Sequence, residues 1–255
     1  MKTSCSTKLL ESAGAKNIFL AIDIAAELGF DGINIDCIDG TYFSIENFSF
    51  LKSAEIVRYA ITKEIEIQCL SIPPVDFDKG KEEIKRLNKA ATVAHALSCP
   101  LVTFSTSVFD EKNTILKQYE KTSEIIKKSS QFAEDFGICF AVEAAENSLI
   151  DTFEKSLQLF VDVDAYNFGV VLNSLSLNRN DEKQVRSDID LIGESLLLVK
   201  ITGEEDKKTM NDIVGKLNQN GYALYISDFR VSSSKETRIE LLNFLKFIKN
   251  INLNK

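Results

Sequence analysis

The feature that most restricts the fold of this chain is an alternation repeated eight times. Apolar, strand-like runs fall at Thr3–Cys5, Gly32–Asp36, Ile65–Ile72, Pro100–Ser105, Ile138–Ala144, Phe168–Asn173, Leu196–Ile201 and Leu224–Asp228. Segments of helical period follow them at Asn17–Leu28, Phe50–Lys63, Lys79–Leu97, Asn113–Phe136, Thr152–Val161, Lys183–Ile192, Lys207–Asn218 and Lys235–Ile248. Short apolar runs bounded by turn residues suit strands buried on both faces, whereas the 3.6-residue period suits helices covering them. Gly29 and Gly137 stand just past two of these helices, where a left-handed residue is favoured, and Asn113 or Thr114 can cap a helix start. Eight such units fill the 255 residues without a linker or composition break. They predict an α/β fold, a single (β/α)8 TIM barrel spanning residues 1–255. A doubly wound open sheet would also alternate. It usually shows a glycine-rich phosphate loop after its first strand, and neither G-x-G-x-x-G nor G-x-x-x-x-G-K-[ST] occurs here.

Composition narrows the function classes. Hydrophobic residues make up 44% of the chain, enough for a sizeable core. A net charge of −8 argues against nucleic acid as a partner, since phosphates require a basic surface. No stretch approaches the roughly 20 apolar residues of a membrane helix, and the N-terminus MKTSCSTKLLES lacks an apolar signal region. A cytoplasmic protein with no membrane partner is the expectation. The cysteines, Cys5, Cys37, Cys69, Cys99 and Cys139, are odd in number and form no C-x-x-C pair. Each lies in or beside a strand-like run, so they read as small buried hydrophobes.

In a barrel, active sites form at the C-terminal ends of the strands. Those ends carry Ser4 or Ser6, Asn34 and Asp36, Ser71, Ser105 and Ser107, Glu143, Asn173 and Ser176, Lys200 and Thr202, then Asp228 and Arg230. Glu143 follows an apolar strand, and its carboxyl should be raised in pKa unless a cation neutralises it. Lys200 closes the run LLLVK, and a structural ion pair between Lys200 and Glu143 is one reading of both. Arg230 could grip a phosphate or carboxylate with its planar fork, or serve only the surface. Pro73 and Pro74 stiffen a loop over the funnel and suit a lid. The lone histidine, His95, falls on a helical pattern facing outward, which leaves a carboxylate or an amine as general base.

Several segments resemble the xylose-isomerase-like TIM barrels, a group of sugar and sugar-phosphate isomerases and epimerases with inosose dehydratases and endonuclease IV as relatives. AAELGFDGINID is similar to the family's entry into strand 2, where Gly-Phe-Asp-Gly-x-Glu is usual. FAVEAAENSLIDTFEKSLQLF resembles strand 5 with its following loop and helix, NFGVVLNSLSLNRN strand 6, and GESLLLVKITGEED strand 7. The resemblance covers nearly the whole chain. It implies one divalent cation held by a Glu after strand 5, an Asp after strand 6, a His near strand 7 and a Glu after strand 8, the two glutamates also exchanging protons with substrate. Residue by residue, only Glu143 matches. Asn173 stands for the Asp, Ser176 for a His three positions on, Lys200 for the strand 7 His with Gly203 at the aspartate of its motif, and Asp228 or Phe229 for the last Glu. Asn34 replaces the Glu of strand 2, and Ser71 lies where a strand 3 His is common.

This degenerate set points away from a metal. At about 4 Å and an effective dielectric near 20, one charge pair is worth roughly 4 kcal/mol, so the Lys200 ammonium opposes a cation about as strongly as one carboxylate attracts it. No cofactor is therefore expected; a divalent cation at Glu143 and Asp228 is the alternative. Two functions stay open. In one, a diverged sugar isomerase or epimerase uses Glu143 for proton transfer next to a carbonyl, with Lys200 and Asp228 as further catalytic residues and Asn34, Ser71, Asn173, Ser176 and Arg230 binding substrate. A Schiff base at Lys200 is a variant of it. In the other, the barrel is a non-catalytic sugar-binding or regulatory protein. Either way the expected partner is a small polyol or sugar-like ligand, and a homodimer is left open.

Overall fold

The computed structural model describes residues 1–37, 43–109, 114–174, 187, 189–201, 207–229 and 236–253. Eight parallel strands follow one another around a closed barrel: β1 (Lys2–Ser6), β2 (Gly32–Asp36), β3 (Glu66–Ser71), β4 (Leu101–Phe104), β5 (Cys139–Glu143), β6 (Phe168–Asn173), β7 (Leu196–Ile201) and β8 (Tyr225–Asp228). β8 returns to pair with β1, Cys5 opposite Asp228, and so no sheet edge is left open. The expected TIM barrel is what forms. Its strands are nearly continuous apolar runs because helices cover the outside and side chains fill the inside.

Helices Ile18–Leu28, Phe50–Thr62, Lys81–Ala96, Ile115–Glu134, Phe153–Val163, Lys207–Gln219 and Thr237–Leu253 surround the sheet. Their ends show local causes. The Asn17 side chain accepts the Leu20 N–H at 3.0 Å, and Gly29, at φ +88°, closes the same helix in the left-handed region. Thr114 caps the next-but-two helix through the Lys117 N–H, and Thr152 caps Phe153–Val163 through the Lys155 N–H. Of the expected helix Lys183–Ile192, residues 187 and 189–192 are helical and the others lie outside the described residues. One helix has no counterpart in the sequence reading: Thr7–Ser12, six residues capped by Ser6, follows β1 directly. Among the described residues, no helix is long and apolar enough to cross a membrane.

Strand alternation sorts the side chains into two populations. Cys69, Leu101, Ala141, Val171, Leu198 and Tyr225 pack together within the barrel. Ile33, Val102, Val142, Val170 and Val199 belong instead to the larger core beneath the helices. Two strands each carry one residue beyond the regular register. Ile33 pairs with Ile67 but Asn34 with Cys69, which makes Gln68 a bulge in β3; Val170 pairs with Leu196 but Val171 with Leu198, which makes Leu197 a bulge in β7.

The cysteines are free, with four buried and Cys139 partly so, as packing residues would be. His95 sits exposed on helix Lys81–Ala96, its Nδ1 3.2 Å from the Phe136 carbonyl and its ring edge-on to Phe136. It lies far from the strand ends, on the outer ring of helices, as its pattern predicts.

Candidate active site

A cavity of about 330 Å³ opens where the strands end, lined among others by Asp36, Ser71, Thr103, Glu143, Lys200 and Phe229. β1, β2, β3, β4, β5 and β7 each contribute a side chain from their C-terminal end, and Phe229 stands just past β8. Glu143 ends β5 directly above Ala141, and Lys200 stands above Leu198 on β7, opposite Asn173 in the pairing with β6.

These three residues form one unit. The Lys200 ammonium donates to Glu143 Oε2, while the Asn173 amide donates to Glu143 Oε1 at 2.6 Å. The Phe229 ring covers the ammonium, with Nζ 4.1 Å from its centroid, a cation–π contact. Lys200 is 5% exposed. Burial by itself would lower its pKa, but the Glu143 carboxylate, with Asp36 adding, carries it above the usual lysine value. The amine is thus held as an ammonium, which disfavours the Schiff-base variant, since that chemistry needs a neutral nucleophile.

Asp36 forms the other side of the cavity. Its Oδ2 accepts from Thr7 Oγ1 at 3.1 Å and from the Lys8 N–H at 2.9 Å, and its own N–H donates to Thr7 Oγ1 at 2.9 Å. Burial raises its pKa, opposed by the Lys8 hydrogen bond and the Lys200 charge. The short helix Thr7–Ser12 therefore has a local purpose: it brings two donors to a carboxyl that the barrel would otherwise bury among apolar walls. Ser71 also lines the cavity, its hydroxyl 3.1 Å from Thr103 Oγ1.

Other expected residues lie elsewhere. Asn34 is fully buried one layer lower, where its amide donates to Ser4 Oγ at 3.2 Å and to Ser227 Oγ. Asp228 is also fully buried, but Ser227 is the inward residue and Ile226 the outward one, so alternation directs Asp228 outward beside Cys5. It adds to the burial that pushes the Cys5 thiol well up. Phe229 takes the next inward place instead. Ser176, Thr202, Gly203 and Arg230 lie outside the described residues. Pro74 lines the cavity, yet its loop is tied down: Arg86 Nη2 donates to the Pro73 and Pro74 carbonyls, each at 3.1 Å, and Arg86 is itself paired with buried Glu83. That loop is a braced wall rather than a lid.

The reading of strand ends singled out Asn34 over Asp36 and missed Thr7, Lys8 and Thr103. The signal was available in part, because Asp36 is the last residue of β2 and shares the inward parity of Asn34.

The comparisons agree with this architecture. The family model for xylose isomerase-like TIM barrels matches residues 22–215, most of the chain. The chain belongs to the xylose isomerase-like TIM barrel family. A search of curated proteins by sequence found no match. Among solved structures, D-psicose 3-epimerase of Clostridium cellulolyticum H10 with D-tagatose superposes with a TM-score of 0.82 at 17% identity, covering 98% of this chain and 99% of that one. The IolI protein, whose structure holds a zinc atom, gives 0.74 at 17% identity, covering 100% and 97%. A probable 3-DHS dehydratase of Bacillus anthracis gives 0.77 at 13% identity, covering 98% and 99%. At these identities the likeness is one of fold.

The cation that membership of the xylose isomerase-like family implies does not suit the side chains present. Among the described residues no group of three His, Cys, Asp or Glu could hold a metal ion. Glu143 is the carboxylate in the family place, and both its oxygens are engaged, one by an ammonium and one by an amide. A divalent ion there would have to displace the ammonium and then face its charge.

Proposed function

We propose that this protein is a diverged sugar or sugar-phosphate isomerase or epimerase that works without the divalent metal of its family. The observation that carries the reading is the buried Lys200–Glu143 pair at the strand ends, beside a cavity lined by hydroxyls of Ser71 and Thr103. An acceptor-rich, polyol-like ligand matches such a lining, and the volume falls at the lower end of small-molecule sites. Neighbours of the same fold include an epimerase with D-tagatose bound, which agrees with a sugar-like ligand.

The proposed chemistry is proton transfer next to a carbonyl. Glu143 removes the proton from the carbon beside the substrate carbonyl, the C–H electron pair forms the C=C bond of an enediolate, and the carbonyl oxygen takes the negative charge. The Lys200 ammonium, preorganised and partly stripped of water, stabilises that oxygen. In a 1,2-isomerisation the proton of the adjacent hydroxyl then passes to that oxygen, Glu143 delivers its own proton to the former carbonyl carbon, and the adjacent oxygen becomes the new carbonyl. One carboxylate serves both transfers in a 1,2-isomerisation, whereas epimerisation needs a second group on the opposite face. Among the described residues, Asp36 is the other carboxyl lining the cavity.

A second reading, a sugar-binding barrel without catalysis, is favoured by one observation: Glu143 has both oxygens occupied, and a carboxylate so engaged is a weak base. The deciding experiment incubates the metal-depleted protein with a panel of ketoses, aldoses and their phosphates in deuterium oxide. Deuterium gain at the carbon next to the carbonyl, lost in Glu143→Gln, supports the enzyme. Saturable binding without exchange supports the binding protein. Exchange that appears only after manganese, zinc, cobalt or magnesium is added overturns the metal-free proposal.

A further inference from the structure

The opposite end of the barrel holds a larger cavity than the mouth, about 620 Å³. It is formed where strands begin, by Glu66 of β3, Leu197 of β7 and Tyr225 of β8, and by Ala60 and Ile61 of helix Phe50–Thr62. Glu66 and Ser71 bound the same strand, which puts roughly 16 Å of chain between this cavity and the mouth. The two are separate sites.

Three observations indicate a built pocket. First, both bulged residues, Gln68 and Leu197, line it. Bulges re-aim side chains and recur beside functional sites, and here two of them serve one cavity. Second, Gln68 is 5% exposed, and its Oε1 is buried with no hydrogen-bond partner among the described residues. A buried amide oxygen without a partner is costly, and the terminal torsion is soft enough to turn either end of the amide toward a ligand. Third, the charges at the rim cancel. Lys2 Nζ lies 2.5 Å from Glu66 Oε1, and the Tyr225 hydroxyl donates to Glu66 Oε2 at 2.6 Å. Apart from Ser98 the remaining described lining is apolar, and the volume is typical of a small-molecule site.

We propose that this N-terminal pole is a second binding site, which takes a neutral, mainly apolar small molecule whose single hydroxyl or amide group pairs with the Gln68 amide. An ionic ligand is disfavoured because, among the described residues, the one cation and the one carboxylate at the rim already satisfy each other. A purely apolar ligand fills the walls but leaves Gln68 as it was.

The test uses the full chain with 4-ethylphenol and ethylbenzene as matched probes, by titration calorimetry and by ligand-observed magnetisation transfer. 4-Ethylphenol is expected to bind saturably and about tenfold more tightly than ethylbenzene, the worth of one good buried hydrogen bond. Gln68→Leu should erase that preference. Ala60→Phe, which fills the pocket, should weaken both probes, and Ile61→Asp does the same from a side chain 68% exposed, where folding is not at risk. Lys8→Ala at the mouth should change neither. The proposal is overturned if neither probe binds, if both bind equally to the wild type, or if Lys8→Ala weakens them while Ile61→Asp does not.

Discussion

Asn173 donates its side-chain amide to Oε1 of Glu143 at 2.6 Å, so the one carboxylate in the family's metal place is held on the side that Lys200 leaves open. A neutral amide here keeps a second negative charge from standing directly against Glu143. Asn173→Asp paired with Lys200→His should reverse this by restoring three donors of metal-binding type. The double variant is expected to bind manganese or zinc stoichiometrically in calorimetry, with the wild type silent. Equal metal binding by both proteins would refute the electrostatic account.

The Glu143–Lys200 pair should behave as a coupled unit in stability. Removing either partner strands a buried charge, so Glu143→Leu and Lys200→Met are each expected to cost about 3–5 kcal/mol in urea unfolding. The double variant should cost clearly less than the sum. The pH dependence has a definite sign. Because the folded Lys200 pKa lies above its ordinary 10.5, the stability it contributes is fully present below pH 10.5 and is lost only as pH rises through the elevated folded value. The melting-temperature gap between wild type and Lys200→Met should stay level from pH 7 to 10 and narrow above that. A gap that closes below pH 9 would contradict a charged lysine.

Asp36 should show the opposite relation between function and stability. Its folded pKa is raised above 3.8, so the stability it contributes is complete below that pH and is lost as pH rises through the folded value. At pH 7 its buried charge is a cost. Asp36→Asn keeps an acceptor for Thr7 and Lys8 and should stabilise the protein at pH 7 by about 0.5–2 kcal/mol, the usual scale for a single stabilising substitution. The gain should shrink toward pH 4. Destabilisation at pH 7 would mean that the Lys200 charge outweighs burial.

Bracing of the mouth wall depends on Arg86. Arg86→Ala removes the donor to Pro73 and Pro74 and leaves Glu83, whose side chain is 1% exposed, without its cation. The expected loss is about 2–3 kcal/mol, below the full figure for a buried pair because Arg86 keeps some solvent contact. Hydrogen exchange supplies the check. The Asp76 N–H, which donates to Glu83 Oε1 at 3.1 Å, should exchange faster, while amides in β6 should not change.

Barrel and strands were legible because parallel strands between helices must be apolar on both faces, and runs such as Phe168–Asn173 and Leu196–Ile201 carry that mark up to the polar residue near their C-terminal end. Helix Thr7–Ser12 left no mark, since six residues make fewer than two turns and show no period. At the site, Glu143 and Lys200 were legible as charges at the ends of apolar strands. Asp228 was misleading because a strand's last polar residue faces inward or outward by parity alone, and β8 ends one residue short of its inward place. Asn34 and Asp36 share a parity and differ only in depth, which spacing to the strand end reveals and residue type does not.

The Gln68 bulge has a consequence for how the chain tolerates change. Ile67 faces the helices and Cys69 the interior, as adjacent residues of a regular strand would, so β3 stores one surplus residue without disturbing the order above it. Were the bulge ironed flat, Leu70 would swing into the barrel and Ser71 out of the mouth. Excision of Gln68 should do neither. The upper half of β3 is insulated from the length of its lower half, and the two poles of this barrel are free to vary independently.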